Sequence, residues 1–153
     1  MKSKLPFHRQ ETPSSCAVAC LRMILEHYGL VMSEAELREQ CQTSELGTQV
    51  EKLIACARSI GFAAELEYLT VERLKELLDQ SVYPIAYLNM FPTSHIPYTH
   101  TVIMESYEGD QLLIVDPLAE PKEIRLSDFI EGWAMYDCMA VILRPDPALE
   151  TRG

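Results

Sequence analysis

The hydrophobic pattern of this chain changes its period near residue 80, and that change limits the folds it can adopt. Between Cys16 and about Leu78, apolar residues recur at the spacing of amphipathic helices. From Val82 onward, runs rich in β-branched residues tend towards a period of two, which is typical of strands. Helices followed by an antiparallel sheet predict the α+β class. The 153 residues fit one domain, which we expect over residues 1–145, with a flexible tail over residues 146–153.

Capping and turn residues mark where the predicted elements begin and end. Gly61 follows a helical stretch as C-capping glycines do, and Ser33 and Thr70 are candidate N-caps of the helices that follow them. The predicted strands cover residues 62–69, 82–90, 99–108, 111–117 and 138–145, with a short helix over residues 126–133. The turn Glu108-Gly109-Asp110 makes two strands antiparallel neighbours, and Pro84 predicts an edge position or a bulge.

Charge and composition exclude several classes of function. Thirteen Lys and Arg against 23 Asp and Glu give a net charge of −10, which argues against nucleic acid or an anionic membrane as a partner. No apolar run approaches the roughly 18 residues that cross a bilayer, and the N-terminus lacks the apolar core of a secretory signal. We therefore expect a cytoplasmic protein without membrane insertion. We expect Glu34, Glu36 and Glu39 to form a solvated helix face.

The five cysteines do not have the spacing of a disulfide framework or a zinc site. Their number is odd and none forms a CxxC pair, so no structural metal is expected. Cys41, Cys56 and Cys138 lie in helical or apolar stretches, where buried free thiols are ordinary. Cys16 differs because it stands where a turn becomes a helix, and the unpaired N–H groups and the helix dipole there favour a thiolate. Cys20, one turn further on, is expected to be a buried packing residue.

A cysteine nucleophile needs a base, and His100 is the histidine best placed to be one. His27 lies on the same helix as Cys16, about 16 Å further along its axis, and His8 has the pattern of a surface residue. His95 lies in a proline-bracketed loop that could touch a substrate. His100 begins a predicted strand, which would hold its ring in a fixed place. A strand-end histidine satisfied by the backbone is the structural alternative.

Asp116 is the carboxylate expected beside His100. The turn at residues 108–110 pairs position 100 with about position 118, so both side chains fall near one edge of the sheet. A carboxylate there fixes the tautomer of the imidazole and stabilises its charged form, although Asp116 can equally be a turn residue before proline. Gln10, six residues before Cys16, carries an amide that can donate to an oxyanion, or it can be an exposed polar residue.

The segment QETPSSCAVACLRMILEHYG resembles the start of the bacteriocin-leader-processing, or double-glycine, cysteine peptidases. These are papain-like domains, often fused to peptide-exporting ABC transporters, and they begin with a glutamine six residues before a cysteine that opens a helix. Four later segments also follow the family's order: ELGTQVEKLIACARSIGF, PIAYLN, THTVI and LLIVDP. The resemblance covers about residues 10–143, nearly the whole chain.

The resemblance implies a fold, a reaction and a set of catalytic residues. The fold would be that of papain-like cysteine peptidases, with an N-terminal helical half packed on a C-terminal antiparallel sheet. Cys16 would be the nucleophile and His100 the general base. Asp116 would orient the base, and Gln10 would be the oxyanion donor. The substrate would be a peptide or protein with a leader segment that is cleaved after Gly-Gly, without a cofactor, and a separate ABC exporter could be a partner.

This chain departs from the family's pattern around the cysteine. The family usually has an acidic residue before the cysteine and a glycine after it, whereas this chain has Ser15 and Ala17. A methyl group at position 17 bears on the width of the groove, and Ser15, Ala17 and His95 are the residues expected to bind the substrate. No membrane-spanning or nucleotide-binding region follows in this sequence, so we expect no transport coupling within it.

Three other functions stay open at the level of sequence. Acyl transfer to an amine, or amide hydrolysis, would use the same Cys16, His100 and Asp116. A non-catalytic module that binds leader peptides is the second, although the intact catalytic set argues against it. A thiol switch between Cys16 and Cys20 is the third, and a helical i, i+4 pair is poorly placed for a disulfide.

Overall fold

Helices fill the first part of the structure and strands most of the second, which confirms the α+β class. The computed structural model describes residues 1–90, 92 and 99–146. The α-helices that lie wholly within these residues are α1 (Cys16–His27), α2 (Glu34–Gln40), α3 (Val50–Ile60), α4 (Val71–Asp79) and α5 (Leu126–Trp133), and a 3₁₀ helix, Ala134–Tyr136, follows α5. Its strands are β1 (Phe62–Tyr68), β2 (Ile85–Asn89), β3 (Thr99–Glu108), β4 (Gln111–Val115), β5 (Pro121–Arg125) and β6 (Met139–Pro145).

Within the described residues, six strands form one antiparallel sheet in the order β1-β6-β2-β3-β4-β5. β5 is not predicted from the sequence, because Pro121–Arg125 is largely exposed and has no hydrophobic alternation. It forms because its backbone continues the ladder at the β4 edge. The prediction of an edge position or a bulge at Pro84 is wrong. β2 lies between β6 and β3, and Pro84 precedes its first residue, where no ladder N–H is lost.

The helix ends follow the predicted capping chemistry. The Ser33 side chain accepts the N–H of Glu36 at 3.1 Å, and the Thr70 side chain accepts the N–H of Arg73 at 3.1 Å. Gly61 ends α3 with a φ of 113°, a left-handed conformation that glycine adopts without strain. These caps fix where α2 and α4 start and where α3 stops.

Helices cover both faces of the sheet. On one face, apolar side chains of α1, α2 and α3 meet Ile85, Tyr87 and Ile103 of the central strands. On the other face, α4 and α5 cover Ala86 and Val102, the intervening residues of the same strands. Successive residues of β2 and β3 therefore point to different cores, as strand geometry requires.

The acidic residues of α2 do not share one environment. Glu36 and Glu39 are exposed, as expected of a solvated helix face, but Glu34 is completely buried. The prediction of a solvated face is therefore wrong for Glu34. As the first residue of α2, it turns its side chain onto the chain segment that precedes α1, where it accepts the N–H of Glu11.

Two further expectations concern the tail and the membrane. Of the flexible tail predicted over residues 146–153, only Asp146 falls among the described residues. Within the part of the chain that the structure describes, none of the helices has the length and apolar composition that a membrane crossing requires.

Candidate active site

A tight turn delivers Cys16 to the first position of α1. Within this turn, the hydroxyl oxygen of Ser15 accepts the N–H of Thr12 at 3.0 Å, and the hydroxyl donates to the carbonyl oxygen of Thr12 at 3.1 Å. Ser15 makes no side-chain cap to the helix and is completely buried, so it closes the turn. Cys16 is only partly buried and stands among the unpaired N–H groups of the first helical turn.

The β3–β4 hairpin brings His100 and Asp116 together. The register shifts once at a bulge in β3, after which Ile103 pairs with Val115. Continued along the strands, this register sets position 100 opposite position 118, the pairing that the turn predicts. Asp116 comes directly after β4, at the same end of the sheet as the start of β3.

The His100 imidazole and the Asp116 carboxylate form a buried, hydrogen-bonded pair. Nε2 of His100 and Oδ1 of Asp116 are 2.7 Å apart, and the side chains are 1 % and 4 % exposed. Oδ1 also accepts the N–H of Leu118 at 2.9 Å, and Nζ of Lys122 lies 3.6 Å from Oδ2. Burial raises the pKa of Asp116, but the bond to His100, the Leu118 N–H and the Lys122 charge outweigh it and lower that pKa. Asp116 is therefore the ionised partner of the imidazole.

Cys16 and His100 change each other's ionisation. Burial, the largest influence on the Cys16 thiol, raises its pKa, but interactions with His100 and Thr101 lower it below its ordinary value. Burial lowers the pKa of His100, but Asp116 and Cys16 together raise it to about 9. Both net shifts favour a thiolate beside an imidazolium. Because Nε2 of His100 is engaged with Asp116, a proton exchanged with the thiol passes through Nδ1.

Cys16 and His100 line an open cavity of ≈ 550 Å³. The rest of its lining comes from the turn before α1, the α2–α3 loop, the start of β3 and the segment after β4: Pro13, Ser14, Glu45, Leu46, Gly47, Thr99 and Leu118. A backbone pair between Ser44 and Gly47 closes a tight turn that carries Leu46, 99 % exposed, at its tip. Sequence reasoning missed these wall residues. The glycine of this loop marks a turn but not the surface that the turn borders.

The structure does not bring every predicted site residue to the cavity. Ser15 and Ala17 are buried and do not line it, since Ser15 closes a turn and Ala17, a residue of α1, packs into the core. His95 lies outside the described residues. Gln10 does not line the cavity either, and its Nε2 donates to the carbonyl oxygen of Thr12 at 2.8 Å. An amide nitrogen carries two hydrogens, so the second N–H of Gln10 can still donate to an oxyanion.

Cys20, one helical turn from Cys16, has the opposite chemical character. It is completely buried, and its Sγ donates to the carbonyl oxygen of Thr101 at 3.6 Å. Burial, with the nearby charges of Cys16 and Asp116, raises the pKa of this thiol well above its ordinary value. Cys20 is therefore a protonated packing residue. Among residues 1–90, 92 and 99–146, no three His, Cys, Asp or Glu side chains are grouped to hold a metal ion.

Thr101 places a hydroxyl on the α1 side of the sheet, near the Cys16 sulfur. Strand alternation puts its side chain on the same face as Ile103, beside its cross-strand neighbour Tyr87. Its Oγ1 is buried and has no hydrogen-bond partner of ordinary geometry in the described part of the chain. The interaction of Thr101 with Cys16 nevertheless lowers the pKa of the thiol, as a donor to a thiolate would.

Thr101→Val should weaken the thiolate without changing the shape of the site. Loss of the hydroxyl whose interaction lowers the pKa of the thiol is expected to slow iodoacetamide alkylation of Cys16 at about pH 6 by about tenfold. Thr101→Ser keeps the hydroxyl and should retain the wild-type pH profile. The alkylation rate at Cys16, resolved by peptide mass spectrometry, is the measurement. A wild-type profile in the valine variant would show that the hydroxyl does not act on the thiolate.

Comparison with known sequences finds a match over most of the chain. The model of the peptidase C39 family matches residues 4–145. The chain is 30 % identical over 141 residues to the lactococcin-G-processing and transport ATP-binding protein LagD of Lactococcus lactis subsp. lactis. That alignment covers 92 % of this chain but 19 % of LagD, so the chain spans about a fifth of the length of this relative.

Solved structures share the fold. The peptidase domain of Streptococcus ComA, a bi-functional ABC transporter involved in a quorum sensing pathway, gives a TM-score of 0.78 at 23 % identity, over 94 % of this chain and 98 % of that one. A double glycine motif protease from an AMS/PCAT transporter, solved in complex with the leader peptide, gives a TM-score of 0.77 at 22 % identity, over 93 % of this chain and 92 % of that one. These likenesses confirm the papain-like fold. Together with the family match over residues 4–145, they lead to one conclusion: the chain belongs to the peptidase C39 family of cysteine peptidases.

Proposed function

We propose that this chain hydrolyses the peptide bond that follows a Gly-Gly pair at the end of a leader segment. The observation that carries the proposal is the arrangement of the Cys16 thiol, the His100 imidazole and the Asp116 carboxylate beside an open cavity. Family membership makes the chain a cysteine peptidase. The substrate and the roles of individual residues are the proposed part.

In the proposed reaction, the Cys16 thiolate attacks the carbonyl carbon of the scissile bond. His100 holds the proton as an imidazolium, and Asp116 stabilises that charge through Nε2. The electron pair of the carbonyl moves to its oxygen, which accepts hydrogen bonds from the backbone N–H of Cys16 and from the Gln10 amide. Stabilisation of this oxyanion lowers the barrier to forming the tetrahedral intermediate.

The intermediate then divides into a free amine and a thioester. His100 gives its proton to the leaving nitrogen as the carbon–nitrogen bond breaks, and the acyl group stays on Cys16. A water molecule, deprotonated by His100, attacks the thioester and releases the leader as a carboxylate. An amine in place of that water would give acyl transfer with the same residues, so the identity of the product separates the two reactions.

Two relatives support a leader peptide as the substrate. LagD is a lactococcin-G-processing protein, and the double glycine motif protease was solved in complex with the leader peptide. Both belong to transport proteins. We therefore propose that the cargo released by this chain passes to an ABC exporter.

The test of this function uses two synthetic peptides that differ at one residue. One has a leader that ends in Gly-Gly before a short cargo, and the other has leucine in place of the second glycine. We expect cleavage directly after Gly-Gly, with kcat/KM about a hundredfold lower for the leucine peptide, because a large side chain must then fit beside the thiol. Mass spectrometry of the products locates the cut.

Each other result has a distinct meaning. Equal cleavage of both peptides would contradict the Gly-Gly preference. A leader product with an added amine in place of a free carboxylate would mean acyl transfer. Binding of the leader peptide without cleavage would favour the non-catalytic module.

A further inference from the structure

Glu34 is a buried carboxylate outside the cavity, and it contacts the segment that joins Gln10 to Cys16. Its side chain is 0 % exposed although it is the first residue of α2. Both of its carboxylate oxygens lie 3.1 Å from the backbone nitrogen of Glu11 and accept its N–H. A carboxylate is seldom buried without partners, so this contact needs an explanation in the fold or in the reaction.

Further contacts tie the same segment to α1 and α2. Oε2 of Glu34 lies 3.5 Å from Nε of Arg38, and the Ser15 hydroxyl interacts with the carboxylate. The side chain of Glu11 pairs with Arg22 on α1 and with Arg38 on α2, each at 3.6 Å. Residue 11 is therefore held by α2 through its backbone N–H, and by α1 and α2 through its side chain.

These contacts fix both peptide units that flank the Cα atom of Gln10. On one side, the N–H of Gln10 donates at 2.8 Å to the carbonyl oxygen of Pro117, the residue that follows Asp116. On the other side, the N–H of Glu11 donates to Glu34. With both units anchored, the backbone angles of Gln10 have little freedom, and its side chain starts from a fixed direction. An oxyanion donor has to be held to within about 0.5 Å, which a free loop cannot do.

We infer that Glu34 is a positioning residue, which places the Gln10 amide for oxyanion binding by anchoring the N–H of Glu11. The inference rests on the role proposed above for Gln10. Glu34 does not line the cavity, so it acts through the backbone of residues 10–15 rather than on the substrate.

Two reactions at Cys16 separate this role from a general effect on folding. The ester p-nitrophenyl acetate acylates the thiolate through a tetrahedral oxyanion and releases p-nitrophenolate. Iodoacetamide alkylates the same thiolate by displacing iodide, and no oxyanion forms. Misplacement of Gln10 should slow acylation alone, whereas damage to the fold or to the thiolate should slow both reactions. Peptide mass spectrometry reports each product at Cys16.

The expected result is a selective loss of acylation. Glu34→Leu should slow acylation by about tenfold and leave alkylation within about twofold of wild type. Glu34→Gln keeps one acceptor oxygen for the N–H of Glu11, so its acylation rate should lie between those of wild type and Glu34→Leu. In a Gln10→Ala background, Glu34→Leu should cause no further loss, because the group that it positions is gone. Glu36→Gln, an exposed carboxylate of the same helix, is the matched control and should change neither rate.

Three outcomes would overturn the inference, and they differ in what else they overturn. Equal slowing of both reactions, or the same loss with and without the Gln10 amide, would give Glu34 a purely structural role. If Gln10→Ala slows acylation but the Glu34 variants react at wild-type rates, Gln10 keeps its role as oxyanion donor and Glu34 does not position it. If Gln10→Ala is acylated at the wild-type rate, Gln10 is not the oxyanion donor, and the inference about Glu34 is wrong as well. If Glu34→Leu does not fold, Glu34→Gln supports the same comparisons.

Discussion

Replacing Cys16 with serine is expected to lower kcat/KM for the Gly-Gly leader peptide by a factor on the order of 10⁴ or more. A serine hydroxyl ionises at a far higher pH than a thiol. The pair of His100 and Asp116, which favours a thiolate here, therefore cannot produce a comparable alkoxide. Serine is close to cysteine in size, so the leader peptide should still bind. Product formation by mass spectrometry and peptide binding by fluorescence anisotropy measure the two properties separately.

Cys20 offers a matched control on the same helix. Cys20→Ser makes the same chemical change one turn away, in a buried site where the new hydroxyl can donate to the carbonyl oxygen of Thr101. It should keep kcat/KM within about threefold of wild type, because it alters no group that reaches the cavity. Equal loss of activity in both variants would indicate a dithiol mechanism. Full activity of Cys16→Ser would mean that Cys16 is not the nucleophile.

Short-range signals in the sequence predict most of the elements that position the site. The N-caps Ser33 and Thr70 and the C-capping Gly61 act within one helical turn, so their effect can be read from local sequence. The juxtaposition of His100 and Asp116 is also local in this sense, because a tight turn fixes the register of the two strands that it joins.

Features that depend on distant segments could not be predicted in this way. β5 has no hydrophobic alternation, and only the free edge of β4 explains why it is a strand. Glu34 has the sequence context of an exposed residue near a helix start, and it is buried because a segment 23 residues earlier folds across it. The cavity walls come from four separate parts of the chain. Each of these depends on tertiary contacts, for which a single sequence carries no direct signal.

The second large effect is expected from His100→Ala, which should change both the rate and its dependence on pH. In the wild type, the thiolate forms as pH rises through the lowered pKa of Cys16, and the imidazolium is lost as pH rises through about 9. The reaction needs both groups charged, so kcat/KM should be bell-shaped with its upper limb near pH 9. Removal of the imidazole should lower kcat/KM by about 10³-fold or more and abolish the upper limb.

The lower limb of the same profile tests how the thiolate is made. Without His100, the thiol loses the interactions with that ring that lower its pKa, so alkylation of Cys16 by iodoacetamide should begin only at higher pH. His27→Gln, an exposed histidine at the far end of α1, should keep the wild-type profile. An unshifted alkylation profile in His100→Ala would mean that the helix N-terminus alone sustains the thiolate. In that case His100 would act only when the leaving amine takes its proton, and the loss would appear in cleavage but not in alkylation.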